Sequence, residues 1–299
     1  MQYGAVLLAC LLPGSLAAAV EEMTLRNGDR YVGEVVDGRR TGRGRYTWQN
    51  GDVYEGEFRD DALHGEGVFR YADGRVYEGD FVDGAQSGQG VLTWPDGQRY
   101  EGAFVDGQME GEGRINYPDG SRYRGEFAAG LPDGLGTYRW PDRARYTGEY
   151  VDGVRQGWGE YRWPDGARYV GGYEAERRTG QGTLIGADGA LYRGGFLAGR
   201  RHGVGVRVSP NGSSLTLERW EDGAQITSSA IRVSDDCVLQ HADRRWMVSG
   251  SRCVDGKAHG RGNAVSTDGT LWIEEGNFVL GRLVEGAVLA LGQPPEITP

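Results

Sequence analysis

A tyrosine returns every 23 residues along most of this chain, at Tyr31, Tyr54, Tyr77, Tyr100, Tyr123, Tyr146, Tyr169 and Tyr192. Glycine keeps the same frame, standing two, eleven and thirteen residues after each tyrosine; in the third unit these are Gly79, Gly88 and Gly90. Eight returns without a slip of register require eight copies of one structural unit, stacked so that each buries what its neighbour leaves open. The 53 glycines therefore have a positional meaning. A collagen triple helix would need one at every third position and far more than the 10 prolines present. Aromatic residues make up 10% of the chain, which argues against disorder.

One unit, residues 77–99, shows what is repeated. Tyr77-Glu78-Gly79-Asp80-Phe81-Val82 alternates with period two and reads as a strand, with Tyr77, Gly79 and Phe81 on one face and Glu78 and Asp80 on the other. Asp83-Gly84 and the residues up to Gly88 read as a turn, and Gly90 to Trp94 as the return strand. Pro95-Asp96-Gly97 makes a second turn: proline presets φ, aspartate bonds its own backbone, and glycine takes positive φ. Each unit is thus a β-hairpin, and the units join into an all-β, elongated, single-layer antiparallel sheet, a solenoid-like meander. Glycine normally weakens a strand; here it recurs beside aromatic rings, which implies that a ring lies over bare backbone where no Cβ would fit.

The run Tyr54-Glu55-Gly56-Glu57-Phe58, then His64-Gly65-Glu66-Gly67, then Asp73-Gly74, resembles the MORN repeat. Tyr77-Glu78-Gly79-Asp80-Phe81 with Gly88-Gln89-Gly90 repeats the pattern, and the resemblance extends over about 24–212. It implies a sheet used as a scaffold or interaction surface, in some members near membranes, with no activity of its own.

The ends depart from the frame. Gly4 to Leu12 is an apolar run, broken by Pro13-Gly14 and followed by the small residues Ala17-Ala18-Ala19, so 1–19 reads as an export signal, although Met1-Gln2-Tyr3 lacks the usual basic residue. Leu7-Leu8-Ala9-Cys10 also resembles a lipoprotein box, a minor alternative in which Cys10 would carry the anchor. Residues 24–214 hold the eight-repeat array. Residues 215–292 read as degenerate repeats and a cap, and 293–299 as a flexible tail. Removing the signal leaves Cys237 and Cys253, and an even count in an exported chain points to a disulfide in a periplasmic or extracellular protein. Two buried thiols are the alternative.

Little in the chain suggests catalysis. Of the histidines His64, His202, His241 and His259, three precede a repeat glycine and read as turn residues. No helical metal spacing and no Cys-x-x-Cys occurs, and the Gly-x-Gly pairs lack the strand-to-helix context and the lysine of a phosphate loop. The Asp-Gly dipeptides lack the spacing of a calcium loop. No cofactor is expected. A net charge of -10 argues against a nucleic-acid partner and against docking on anionic lipid. Glu55, Glu57, Glu78, Asp80 and Glu101 with Arg99, Arg122 and Arg145 read as cross-strand charge pairs on a solvated face, with an acidic stripe for a basic partner as the alternative.

What remains is the aromatic face. Trp48, Tyr54, Tyr71, Tyr77, Trp94, Tyr100, Tyr117, Tyr123, Trp140, Tyr146 and Trp163 form the candidate interaction surface. Two readings of it stay open: a recognition surface, because a single layer cannot bury it, or the array's only core. The occupant would be a protein, including a second copy of the chain as a homodimer, or an extended ligand such as a glycan. A membrane-associated scaffold is a further alternative.

Overall fold

The computed structural model describes residues 19–212, 214–231, 237–249, 251–266 and 271–290. The signal reading of 1–18, the Cys10 box and the tail at 293–299 lie outside the described residues. The chain divides into two compact units, residues 1–115 and 116–299. No helix among the described residues is long and apolar enough to cross a membrane.

The array is an antiparallel meander of hairpins that pair in chain order. In the third repeat Val76–Val82 pairs with Ala85–Thr93, setting Tyr77 opposite Leu92, Gly79 opposite Gly90 and Val82 opposite Ala85. The connection is shorter than the sequence suggests. It is a two-residue turn in which Asp83 and Gly84 both take positive φ, 48° and 95°, the geometry whose twist matches the flanking strands. Gly88, read from sequence as part of that turn, lies inside the return strand, where the register shifts between Gly79 and Phe81. Its φ of 89° makes a bulge, and the Asp80 carboxylate accepts the next amide, Gln89 N, at 2.8 Å. Glu149 does the same for Trp158 N at 2.8 Å. The glycine eleven residues after each tyrosine is thus a bulge glycine, and where the residue three after the tyrosine is acidic, as at Glu34, Asp80, Glu126 and Glu149, its carboxylate caps the bulge.

Between hairpins, the Pro-Asp-Gly turns close as expected: Trp94 N donates to Gln98 O at 2.9 Å, and Asp96 accepts Gln98 N at 2.9 Å. Where Arg143 replaces the turn glycine it still adopts φ 76°, a left-handed conformation that glycine would take without strain.

Three strands extend the meander beyond the eight repeats. Ala19–Thr24 pairs with Arg30–Val36 at the start. At the far end Leu215–Glu221 and Ala224–Ile231 pair on as a further hairpin, so residues 215–231 belong to the array's sheet. The rest folds separately. Leu239–His241, Arg244–Ser249, Lys257–Ser266, Leu271–Val279 and Arg282–Glu285 pair in that order, and Gln240 N donates to Gly281 O at 3.2 Å, bringing the first strand beside the last in a near-barrel. Leu239, Trp246, Ala258, Ala264, Ile273 and Phe278 fill it. Val265 and Trp272 pack on Val206 and Ile231, so this small sheet covers the end of the array on the face opposite the tyrosines. A Cys237–Cys253 disulfide ties the chain just before its first strand to the short strand Arg252–Val254.

Candidate interaction surface

The aromatic face of the array resolves into two columns with different environments. The first is the repeat tyrosine. Tyr54, Tyr77, Tyr100, Tyr123 and Tyr146 are at most 1% exposed. Each ring folds back over two glycines, one on its own strand and one on the return strand. A Cβ built on Gly90 would sit 2.5 Å from the Tyr77 ring, and one on Gly113 would sit 2.6 Å from the Tyr100 ring; both are impossible approaches. The hydroxyl then reaches a backbone carbonyl three residues on: Tyr54 Oη donates to Glu57 O at 2.8 Å, Tyr77 Oη to Asp80 O and Tyr100 Oη to Ala103 O, both at 2.9 Å. This bond gives tyrosine a role that phenylalanine could not fill. Each ring also meets two others edge-on. Tyr54 lies 5.2 Å from Phe58 and 5.0 Å from Phe81, and Tyr146 lies 5.3 Å from Tyr150 and 5.0 Å from Tyr173. Burial pushes the phenols of Tyr54 and Tyr100 up to about 12, and raises those of Tyr77, Tyr123 and Tyr146 as well.

These five tyrosines, included in the expected interaction surface, are therefore core. The sealed glycine-tyrosine contact hides them from any partner.

The second column ends each return strand: Trp48, Tyr71 and Trp94 in the first unit, Tyr117, Trp140 and Trp163 in the second. All six are half-buried. They lean on rings one turn inside, as Trp48 does on Tyr46 at 4.4 Å and Phe69 at 5.1 Å, and Trp140 on Tyr138 at 4.5 Å and Tyr161 at 5.4 Å. Their outer edges face solvent. Arginines nine residues after a repeat tyrosine help support this face. The Arg155 guanidinium lies 5.3 Å from the Tyr146 ring and 5.8 Å from that of Trp140, and Arg178 lies 5.4 Å from Tyr169 and 5.7 Å from Trp163. Sequence reasoning missed these arginines, although their fixed offset from the tyrosine was the signal for them.

The opposite face is charged. In the first unit it forms an open groove lined by Glu34, Glu55, Glu66, Glu78 and Asp80 among glycines and Val20, Val32 and Val68. Charge pairs are present there: Arg99 and Glu101, both expected to pair, meet at 2.7 Å along one strand, and arginines outside the expected set cross between strands, Arg114 to Glu101 at 2.7 Å and Arg45 to Glu55 at 3.1 Å. Of the other two expected arginines, Arg145 meets an acid on the next strand, Glu160 at 3.8 Å, whereas Arg122 has no ion pair among the described residues. The register sets each directly across from another arginine, Arg139 for both and Arg162 for Arg145 on its other side.

A family model described as the MORN repeat matches eight consecutive segments, 31–53, 54–74, 77–99, 100–122, 123–145, 146–168, 169–191 and 192–214. No curated protein sequence matches the chain. Among solved structures, the TCP10 domain of Danio rerio CPAP, in complex with a peptide of Danio rerio STIL, is similar at 17% identity and a TM-score of 0.42, covering 71% of this chain and 99% of that one. The TCP domain of Drosophila melanogaster SAS-4, in complex with a proline-rich motif of Ana2, is similar at 19% identity and a TM-score of 0.32, covering 56% and 99% respectively.

Proposed function

This chain belongs to the MORN repeat family, and we propose that it is a non-catalytic scaffold that engages protein partners through the half-buried aromatic column. The repeat is generally a non-enzymatic module, which supports the non-catalytic reading. The observation that carries the choice of surface is the contrast between columns. The tyrosine column is sealed, whereas Trp48, Tyr71, Trp94, Tyr117, Trp140 and Trp163 are held by rings on one side and open on the other. Rigid aromatic edges of this kind supply large contact area at little entropic cost, and interfaces are enriched in them. The column ends where the same position becomes Gly186 and Ser209, so recognition is assigned to the first six repeats.

Trp94→Ala and Trp140→Ala are expected to weaken partner capture about tenfold or more while thermal melts stay close to wild type; Glu78→Gln and Glu101→Gln should bind as the parent does. The readout is pull-down from a cell-envelope extract, with a glycan array as the second arm. Tryptophan variants that melt early yet bind normally while folded would make this column core as well. Retention on glycans without protein capture would move the site to the glycan reading.

We further propose that the protein works at the cell envelope or exterior; the apolar run at Gly4 to Leu12 and the Cys237–Cys253 disulfide support this reading. Mass spectrometry of the native protein should find a mature N-terminus near residue 20 and no free thiol. An intact Met1 with two reduced cysteines in the cytosolic fraction would refute this placement.

A further inference from the structure

On the face opposite the tyrosines, the second unit carries a row of five arginines, one per strand. Arg122 pairs with Arg139, Arg139 with Arg145, Arg145 with Arg162, and Arg162 with Arg168. In sequence they stand alternately 17 and 6 residues apart, so only the hairpin register brings them side by side. Strands about 4.8 Å apart give a row of roughly 19 Å. Like charges directly opposite one another destabilise a sheet, and the repeat does not require them: the same line in the first four repeats runs Arg30, Thr47, Val53, Arg70, Val76, Thr93 and Arg99, with no two arginines directly opposite. One internal counter-ion serves the row. Glu160 lies 2.9 Å from Arg162 and 3.8 Å from both Arg145 and Arg168. Arg122 and Arg139 are exposed and have no ion pair among the described residues.

The row does not end at Arg168. The same register continues through Ile185, Leu191 and Val208, all half-buried, up to the edge that the C-terminal sheet covers. A line of guanidinium groups followed in register by aliphatic side chains matches neither a uniform polyanion nor a lipid headgroup. We infer that this row is a docking site for an extended acidic polypeptide segment with apolar residues at one end. The planar guanidinium fork takes a carboxylate through two parallel hydrogen bonds. In an extended chain, carboxylates on alternate residues recur about every 6.7 Å, so four of them span the row. The apolar end would lie over Ile185 and Leu191. This site is on the opposite face from the aromatic column and shares with the reading above only the class of partner, a protein.

The test uses the full chain and a fluorescent peptide with glutamate at alternate positions and two leucines at one end. Salt-sensitive binding is expected. Arg122→Gln/Arg139→Gln should weaken it about tenfold and, because it removes like-charge repulsion, should melt no earlier than wild type. Glu160→Gln should strengthen it, because it frees three arginines for the peptide. The Trp94→Ala/Trp140→Ala protein should bind this peptide as wild type does, which separates failure of this site from failure of the aromatic column. The inference is overturned if wild type does not bind the peptide, or if the folded arginine variant binds it equally well. It is also overturned if a sulfated oligosaccharide, single-stranded DNA or phosphatidylserine vesicles bind the row in preference to the peptide.

Discussion

The tyrosine column and the strand-end aromatic column share one face of the same sheet, yet they do opposite work. Each repeat tyrosine from Tyr54 onward has a pair of glycines beneath it, a carbonyl for its hydroxyl and a ring on either side, as Tyr77 has with Phe81 at 5.2 Å and Phe104 at 4.9 Å. A residue two positions nearer the turn, such as Trp94, has no glycine bed and remains half-exposed. Each repeat tyrosine is buried because the backbone beneath it is bare enough to let the ring lie flat. Glycine placement, more than aromatic content, thus divides core from surface.

The sharpest way to break this comparison is alkaline titration. The phenols of Tyr31, Tyr54 and Tyr100 are raised by burial from 10.0 to about 12. The folded state therefore holds protons that the unfolded chain has released. The stability this contributes is complete below pH 10 and is lost as pH rises through 12. Circular dichroism and tyrosinate absorbance should change together in one cooperative alkaline transition. Early ionisation of most tyrosines with the sheet intact would mean that the column is open to solvent.

Next in size is a paired substitution. Tyr100→Ala removes a fully buried ring and is expected to cost about 3–5 kcal/mol. Trp163→Ala, in the outer column, should cost about 1 kcal/mol. Equal losses in urea melts would erase the distinction between the columns. The smallest effect sharpens it: Tyr100→Phe keeps the ring but loses the hydroxyl's bond to Ala103 O, and should cost about 1 kcal/mol. A neutral outcome would assign the hydroxyl no part in selecting tyrosine.

A second contrast concerns the charged face. The first unit presents Glu34, Glu55, Glu66, Glu78 and Asp80 in a groove, while the second aligns five arginines on an equivalent backbone. The repeat constrains the positions beneath the tyrosines tightly and leaves the opposite face free to vary. Differences in recognition along such an array are therefore to be sought on that free face and at the strand ends.

Much of this was legible in the chain alone, because its determinants are local. The 23-residue return of Tyr31 to Tyr192, the alternation around Tyr77, and Pro95-Asp96-Gly97 each act within a few residues, and together they specify hairpins, their order and the family. The pairing of Cys237 with Cys253 was readable for a similar reason, since only two cysteines follow the apolar N-terminal run. Other features depended on neighbours distant in sequence. Gly88 looked like a turn residue until the register set it inside the return strand, opposite Phe104, as a bulge that Asp80 caps. Tyr54 and Trp94 looked equivalent as members of an aromatic face, and only the glycine pair under Tyr54 set them apart. Arg122, Arg139, Arg145, Arg162 and Arg168 are unremarkable at spacings of 17 and 6, and become one row only when five strands lie side by side. Sequence periodicity determined the repeating unit. Tertiary structure decided which side chains each unit seals, opens or aligns with the next, because burial and charge alignment depend on contacts across strands that period alone does not encode.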